Sequence, residues 1–356
     1  MEGVLKLKKE IKELLVKEEK MWKQRFRALW LQEGDKNTRY FHSRATQRYR
    51  RNKICELMDS KGLLRMNEED IAQILIGSYQ GLFELANPCS IDQAMADIPP
   101  LVTLEMNDML QEEYTRAEVD TTLHQMEALK APGPDGMPPM FFQHYWQTIR
   151  DDVSAAVLSC LNTGSIPPSI NKTFITLIPK VKIPTLVSEY RPISLCNILY
   201  KLVSKVIINR LKRTLPNLIS DLQSAFQSDK AISNNILVAF ETLHHMKIQK
   251  AKSSRFMALK LDMSKAYDQV EWSFLKKIIE KMGFGASWVQ LVMECISTVS
   301  YLILVNGEPK GEIKPTRGIR QGDPLSPYLF LLCSEGLNWL IQGAAREDKI
   351  KGFLFV

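Results

Sequence analysis

The chain has 356 residues with the apolar share of an ordinary globular protein, enough for a sizeable core spread over two or three subdomains. Its six cysteines form no CxxC pair, its start MEGVLKLKKE has no apolar signal core, and no apolar run reaches the length of a membrane span. These features argue against a disulfide scaffold, a secreted chain and a membrane-spanning one, and predict a cytoplasmic or nuclear protein. The net charge of +7 is gathered at one end: residues 1–53 carry 16 Lys or Arg against 7 Asp or Glu, and the remainder 31 against 33.

Such a basic end suits nucleic acid, and equally a solvated helix face. Over residues 4–32, Leu7, Ile11, Leu14, Leu15, Met21, Trp22, Phe26, Leu29 and Trp30 make a partial apolar stripe. That stripe predicts one long helix, ended by Gly34 and Asp35. The block WLQEGDKNTRYFHSRATQRYRRNKI (30–54) interleaves cations with Tyr40, Phe41 and Tyr49, as single-stranded nucleic acid would favour. His42 has no partner at ligand spacing, so it is discounted for metal. Asp59 to Gly62 predicts a turn, and Asn67 with Asp70 opens a helix to about Leu85. Pro88, Pro99 and Pro100 mark 86–113 as linker-like. Thr115 with Glu118 is a capping-box pattern ahead of a helix near 116–129. APGPDG then forces a loop in which Asp135 serves the turn, and helices are predicted over 139–148 and 151–162, with Gly164 as the stop.

Phe174 to Ile178 reads as a strand leading into Pro179 and Lys180, followed by a loop over 182–189 and a new element at Tyr190-Arg191-Pro192. Helices are predicted from Asn197 to Leu215 and from Ile236 to Ile248. Residues 256–262 alternate Met257, Leu259 and Leu261 with Phe256, Ala258 and Lys260, a period of two that predicts a strand ending in Asp262. Ser273 caps a helix stopped by Gly283, and Ser287 to Ile296 is another. Ser300 to Val305 reads as a strand, and Asn306-Gly307 is the strongest hairpin signal in the chain. PTRGIRQGDPL (315–325) is a loop, and Ser326 as N-cap with Pro327 starts a long helix. A carboxylate at a strand end beside a cleft suits a hard metal ion, although the same residue commonly serves a turn or cap.

LDMSKAYDQVEW (261–272) resembles motif A of the reverse transcriptases of LINE-type (non-LTR) retrotransposons, plant ones especially. Four further blocks stand in that family's order: LKAPGPDG (129–136), LIPKVKIPTLVSEYRPISLCNILYKLVSKVIINRLK (177–212), SDLQSAF (220–226) and RGIRQGDPLSPYLFLLCSEGL (317–337). The resemblance implies an α/β fold of right-hand polymerase type. It divides the chain into a helical basic extension and linker (1–114), fingers (115–255) and an incomplete palm (256–356). It implies an RNA-directed DNA polymerase using an RNA template, a DNA primer, deoxynucleoside triphosphates and two Mg2+ ions. Carried over by position, Asp262 is the catalytic carboxylate and a metal ligand, with the Met263 carbonyl beside it. Lys180 and Arg191 reach the triphosphate, for which Arg offers paired planar donors. Tyr267 stands under the sugar as a gate against the ribose 2′-hydroxyl, Gln321 meets nucleotide and sugar, and Gly322 lets the template approach the backbone. After Phe226 the family continues with a Pro-Gly-Arg turn and an Asp-Asn pair; here stand Gln227, Ser228, Asp229 and Lys230, then Ser233, Asn234 and Asn235.

The family's second carboxylate source is an aromatic-Ala-Asp-Asp hairpin, and neither YADD nor FADD occurs in these 356 residues. GFLFV (352–356) resembles the strand entering that hairpin, and no stretch before residue 30 is long enough for the family's endonuclease. Asp151-Asp152, the one adjacent Asp pair, precedes motif A and reads as the complement of a helix dipole. Two expectations follow: a reverse transcriptase domain that is catalytically incomplete as given, or a non-catalytic nucleic-acid-binding remnant of such an element.

Overall fold

A computed structural model of the chain describes residues 46–86, 98–220, 223–226, 232–248 and 257–350, with isolated positions between 7 and 17 and at Ile91 and Met95. Most of the helix read over 4–32, the block 30–45, the departure at Gln227 to Lys230 and the segment GFLFV lie outside the described residues.

The sheet forms where branched and aromatic residues alternate. After a short hairpin of β1 (Leu57–Met58) and β2 (Leu64–Arg65), the chain makes helix α1 (Glu68–Leu82), which Asn67 caps by accepting the Glu69 amide. Strands β3 (Lys172–Pro179) and β4 (Tyr190–Cys196) pair antiparallel, and β5 (Ser300–Val305) and β6 (Glu308–Ile313) make a second hairpin. The two hairpins join through a parallel β3–β5 ladder, giving the order β4-β3-β5-β6. Asn306 and Gly307 hold φ of 53° and 99° at the second hairpin's tip, where Gly takes a left-handed backbone without a steric cost. The Asn306 side chain also accepts from the Ile54 amide and donates to its carbonyl, at 2.8 and 3.1 Å, which ties the early chain to this tip. Ile175, Leu177, Tyr301, Ile303 and Val305 share one buried cluster with Ile71, Leu75, Tyr79 and Leu82, so α1 covers this face of the sheet.

The larger cluster is helical. Helices α2 (Leu104–Gln111), α3 (Arg116–His124), α4 (Pro139–His144), α5 (Trp146–Thr163) and α6 (Pro168–Asn171) precede β3, and α7 (Ile198–Leu211) follows β4. Eleven of the 14 residues of α7 are buried, so it runs through the middle of the layer and even its polar residues need partners inside. Arg210 finds them in Glu118, at 2.7 and 2.9 Å, and in the carbonyls of Leu110 and Glu113. Glu118 also accepts the Thr115 amide at 2.8 Å, which is the expected capping box. Burial works against the charge of Glu118; Arg210 and the Thr115 amide outweigh it and hold the carboxyl below the usual range. The remaining helices are α8 (Leu215–Leu218), α9 (Ile232–Ile248), α10 (Trp272–Lys281), α11 (Ala286–Ser297) and α12 (Ser326–Arg346).

Several expectations shift. The linker-like stretch 86–113 contains α2, whose N-cap Thr103 accepts the Met106 amide and whose Leu110 is fully buried. Asp151-Asp152 falls inside α5 rather than at a helix start, and Asp151 pairs with Arg116. Ser326 is the first residue of α12, and Leu325 holds the cap position. The largest change concerns 256–262: residues 257–263 form no strand and are exposed throughout. A strand is half of a ladder, and among the described residues no strand lies beside this segment to accept its backbone groups.

Candidate functional site

The loop after β6 is the part of the site the fold holds hardest. Arg320 lies 3% exposed at its centre. Its guanidinium donates to Asp323 at 3.1 Å, to Asn171 Oδ1 at 2.6 Å, to Thr173 Oγ1 at 3.2 Å and to the Cys295 carbonyl at 3.0 Å, and it stacks 3.8 Å over the Tyr200 ring. Asp323 in turn accepts the Tyr200 hydroxyl at 2.7 Å and the Leu325 amide at 3.0 Å. A buried ion pair persists only when its remaining donors and acceptors are filled, and here they are.

That anchor fixes the two residues after it. The Gln321 carbonyl accepts the Ser194 amide at 2.7 Å, which binds the loop to β4. Gly322 follows with φ 110°, and a Cβ there would stand 2.9 Å from the Ser194 carbonyl oxygen. On the other side, the Gly318 amide donates to the Val270 carbonyl at 2.7 Å and the Ile319 amide to that of Tyr267 at 2.8 Å. The turn 264–269 is thereby held against the loop, with the Tyr267 ring 5.2 Å from that of Phe330. A side chain at Gly318, whose φ is 92°, would collide with the Asp268 carbonyl oxygen at 2.7 Å, so only glycine permits this approach.

Between loop, turn and strands lies a cleft of about 510 Å³. Its lining includes Lys180 from the end of β3, Arg191 from β4, Tyr267 from the turn, and Gln321 with Gly322 from the loop. All five positions assigned to substrate therefore face one space, although 142 residues separate the first from the last. Lys180 and Arg191 are exposed, and the Lys180 amine rests on the Ser188 carbonyl at 2.8 Å. Asp262 and Met263 do not line the cleft; both are exposed, just before Ser264, where its lining on this segment begins.

The sequence reading gave no role to Asp268, which also lines the cleft and is 4% exposed. Its carboxylate accepts the Gln321 side-chain amide at 3.2 and 3.3 Å. Burial pushes its pKa up to about 6, and the Gln321 bond and the Lys265 and Lys180 charges only partly offset that. A carboxyl whose pKa is raised on folding stabilises the fold below about pH 4, and that contribution is lost as pH rises through about 6. Asp268→Asn is therefore expected to stabilise the chain at pH 8 by roughly 1–3 kcal/mol and to change little at pH 4, read as urea midpoints at the two values. Equal shifts at both pH values would mean that packing, not charge, sets the effect.

Reverse transcriptases generally use divalent metal ions, and a two-ion site needs several carboxylates. Among the described residues no group of three or more His, Cys, Asp or Glu could hold a metal ion. Asp262 alone does not fit a two-ion site. No helix among the described residues is long and apolar enough to cross a membrane.

Residues 178–353 match the family described as reverse transcriptase (RNA-dependent DNA polymerase). The transposon TX1 uncharacterized 149 kDa protein of Xenopus laevis is 28% identical over 310 residues, 86% of this chain and 23% of that protein. The retrovirus-related Pol polyprotein from the type-2 retrotransposable element R2DM of Drosophila melanogaster is 26% identical over 235 residues, 66% of this chain and 22% of that protein. An uncharacterized mitochondrial protein of Arabidopsis thaliana is 51% identical over 51 residues, 14% of this chain and 42% of that protein. The chain spans about a quarter of the length of the first two relatives. The mixed helix-and-sheet fold agrees with an α/β polymerase, and the chain carries a reverse transcriptase domain whose relatives are proteins of non-LTR retrotransposons.

Proposed function

We propose that this domain binds a deoxynucleoside triphosphate in the cleft and belongs to an RNA-directed DNA polymerase acting on an RNA template and a DNA primer. The observation that carries the reading is the convergence of Lys180, Arg191, Tyr267, Gln321 and Gly322 on one cleft. Two cations suit a triphosphate, and an aromatic ring and an amide suit a sugar. In this reading Tyr267 is the gate against the 2′-hydroxyl, and Gly322 leaves its backbone open to the template. Asp262 is the catalytic carboxylate, and with the Met263 carbonyl it is the chain's contribution to holding Mg2+. The division into 1–114, 115–255 and 256–356 belongs to the same reading, with residues 54–83 built into the core of the sheet. Plant ancestry is favoured by the short Arabidopsis match.

We also propose that these 356 residues bind substrate without completing catalysis, because neither YADD nor FADD occurs in them and no group of three or more His, Cys, Asp or Glu among the described residues could hold a metal ion. Titration of the chain with dTTP, beside primer extension on an RNA template, tests both parts. The expected result is saturable dTTP binding, weakened about tenfold or more by Arg191→Ala through loss of a charged, paired contact, with no extension. Extension by the unaltered chain would overturn the incompleteness, and absent binding would overturn the cleft.

The second reading, a non-catalytic nucleic-acid-binding remnant, draws on the basic residues 1–53. Counterion release makes their contribution visible as a steep fall of affinity with salt. Deleting 1–53 is expected to flatten the slope of log affinity against log salt for single-stranded RNA. An unchanged slope would reduce the segment to a solvated helix.

A further inference from the structure

We propose that Asp268 is a positioning residue for the nucleotide sugar: its carboxylate holds the Gln321 amide with Nε2 against the cleft wall, leaving Oε1 to accept the sugar's 3′-hydroxyl. The inference rests on the cleft being the nucleotide site.

The geometry supports it from three sides. An ionised carboxylate only accepts, so the Gln321 group facing it at 3.2 and 3.3 Å is the amino group. The Gln321 Oε1 takes no hydrogen bond among the described residues, and it belongs to a residue that lines the cleft. A sugar hydroxyl is a donor of the right kind for such an oxygen. Asp268 is itself held, because its carbonyl lies where a Gly318 side chain would be and its neighbour Tyr267 accepts the Ile319 amide. The loop carrying Gln321 is pinned next door by the buried Arg320–Asp323 pair. The backbone at both ends of the Asp268–Gln321 bond is therefore held, and the bond sets which way the Gln321 amide is turned.

Asp268 also has the surroundings for its charge to matter. The charged and titratable groups that face it are Lys265 on its own turn, Lys180 at the end of β3, Tyr79 from α1 and Tyr301 from β5. Burial raises both tyrosines, Tyr79 and Tyr301, well above the ordinary range, so neither ionises near neutrality. The two lysines are the only cations in that set, and the triphosphate reading already assigns one of them, Lys180. Above about pH 6 the carboxylate forces the amino group toward the wall; once protonated, it can donate instead, and the amide is free to turn.

Two measurements on the full chain test this. The first is independent of nucleotide: with 15N-glutamine labelling, the Gln321 side-chain resonances are expected to titrate with a midpoint near 6 in the unaltered chain and to stay flat in Asp268→Asn. A flat response in the unaltered chain overturns the proposal. The second compares dTTP with its 2′,3′-dideoxy analogue in Mg2+ at pH 8. Asp268→Leu is expected to cut the preference for dTTP about 5- to 10-fold, the worth of one well-oriented hydrogen bond, and Asp268→Asn, which can accept from Nε2 but can also donate as the protonated acid does, to recover only part of it. A merely structural role would weaken both nucleotides together, with the ratio unchanged and no rescue by Asn, and would overturn the proposal. If the unaltered chain binds neither nucleotide, the cleft reading fails by itself, and the amide titration still decides whether Asp268 controls Gln321.

Discussion

Arg320→Met costs the fold about 3–5 kcal/mol in denaturant unfolding, the range for breaking one side of a buried ion pair. The size comes from what is left behind. Asp323 is as deeply buried as Arg320, and without the guanidinium its charge keeps only the Tyr200 hydroxyl and the Leu325 amide. Asn171 Oδ1 and Thr173 Oγ1 lose their donor at the same time, while the Cys295 carbonyl keeps the Asn171 side-chain amide at 3.0 Å. The double variant Arg320→Met, Asp323→Leu is expected to recover a large part of the loss, because removing both charges removes the uncompensated one. If the double variant were no more stable than the single one, the cost would lie in the shape of the loop. The consequence for the cleft is direct, since Gln321 is the next residue and takes its place from this anchor.

The legible parts of the fold are those whose causes are local. The Thr115–Glu118 capping box, the Asn306-Gly307 tip and the Asn67 cap each work through atoms within a few residues. Helix α2 escapes because prolines at 88, 99 and 100 precede it and its eight residues carry little apolar rhythm; Thr103 was the available signal. At the site, Lys180, Arg191, Tyr267, Gln321 and Gly322 were readable as positions in ordered motifs, and the cleft places them together. Asp268 was not, because its role depends on a side chain 53 residues away in sequence and on the depth at which both lie. KAYD held the hint: an acid directly after the aromatic residue, in a turn facing the cleft. The Arg320 anchor was equally hidden, since RGIRQGD shows two arginines and nothing local says which one is buried.

The segment expected to be a strand ending in Asp262 gives the other large effect. Met257, Leu259 and Leu261 keep the period-two pattern, yet they are 83%, 71% and 63% exposed. Their backbone groups find no ladder among the described residues, so apolar side chains are presented together with N–H and C=O groups that none of those residues pairs. Such an edge is a template for pairing with another chain. Helix α9 is also apolar and exposed at Ile236, Leu237, Val238, Phe240 and Leu243, but its backbone is satisfied within the helix, so it offers side chains alone. The purified chain is therefore expected to self-associate at concentrations on the order of 10 µM, as chains with exposed apolar edges do. Sedimentation velocity is the readout. Leu259→Lys with Leu261→Lys is expected to move most of the material to monomer, because charge on an edge strand blocks both kinds of contact. Phe240→Lys with Leu243→Lys is expected to do less, since it removes apolar area without touching a backbone template. If the helix pair alone restored the monomer, side-chain burial on α9 would be the cause and the unpaired segment would be incidental. A monodisperse unaltered chain at the same concentration would show that neither surface is available to a second copy.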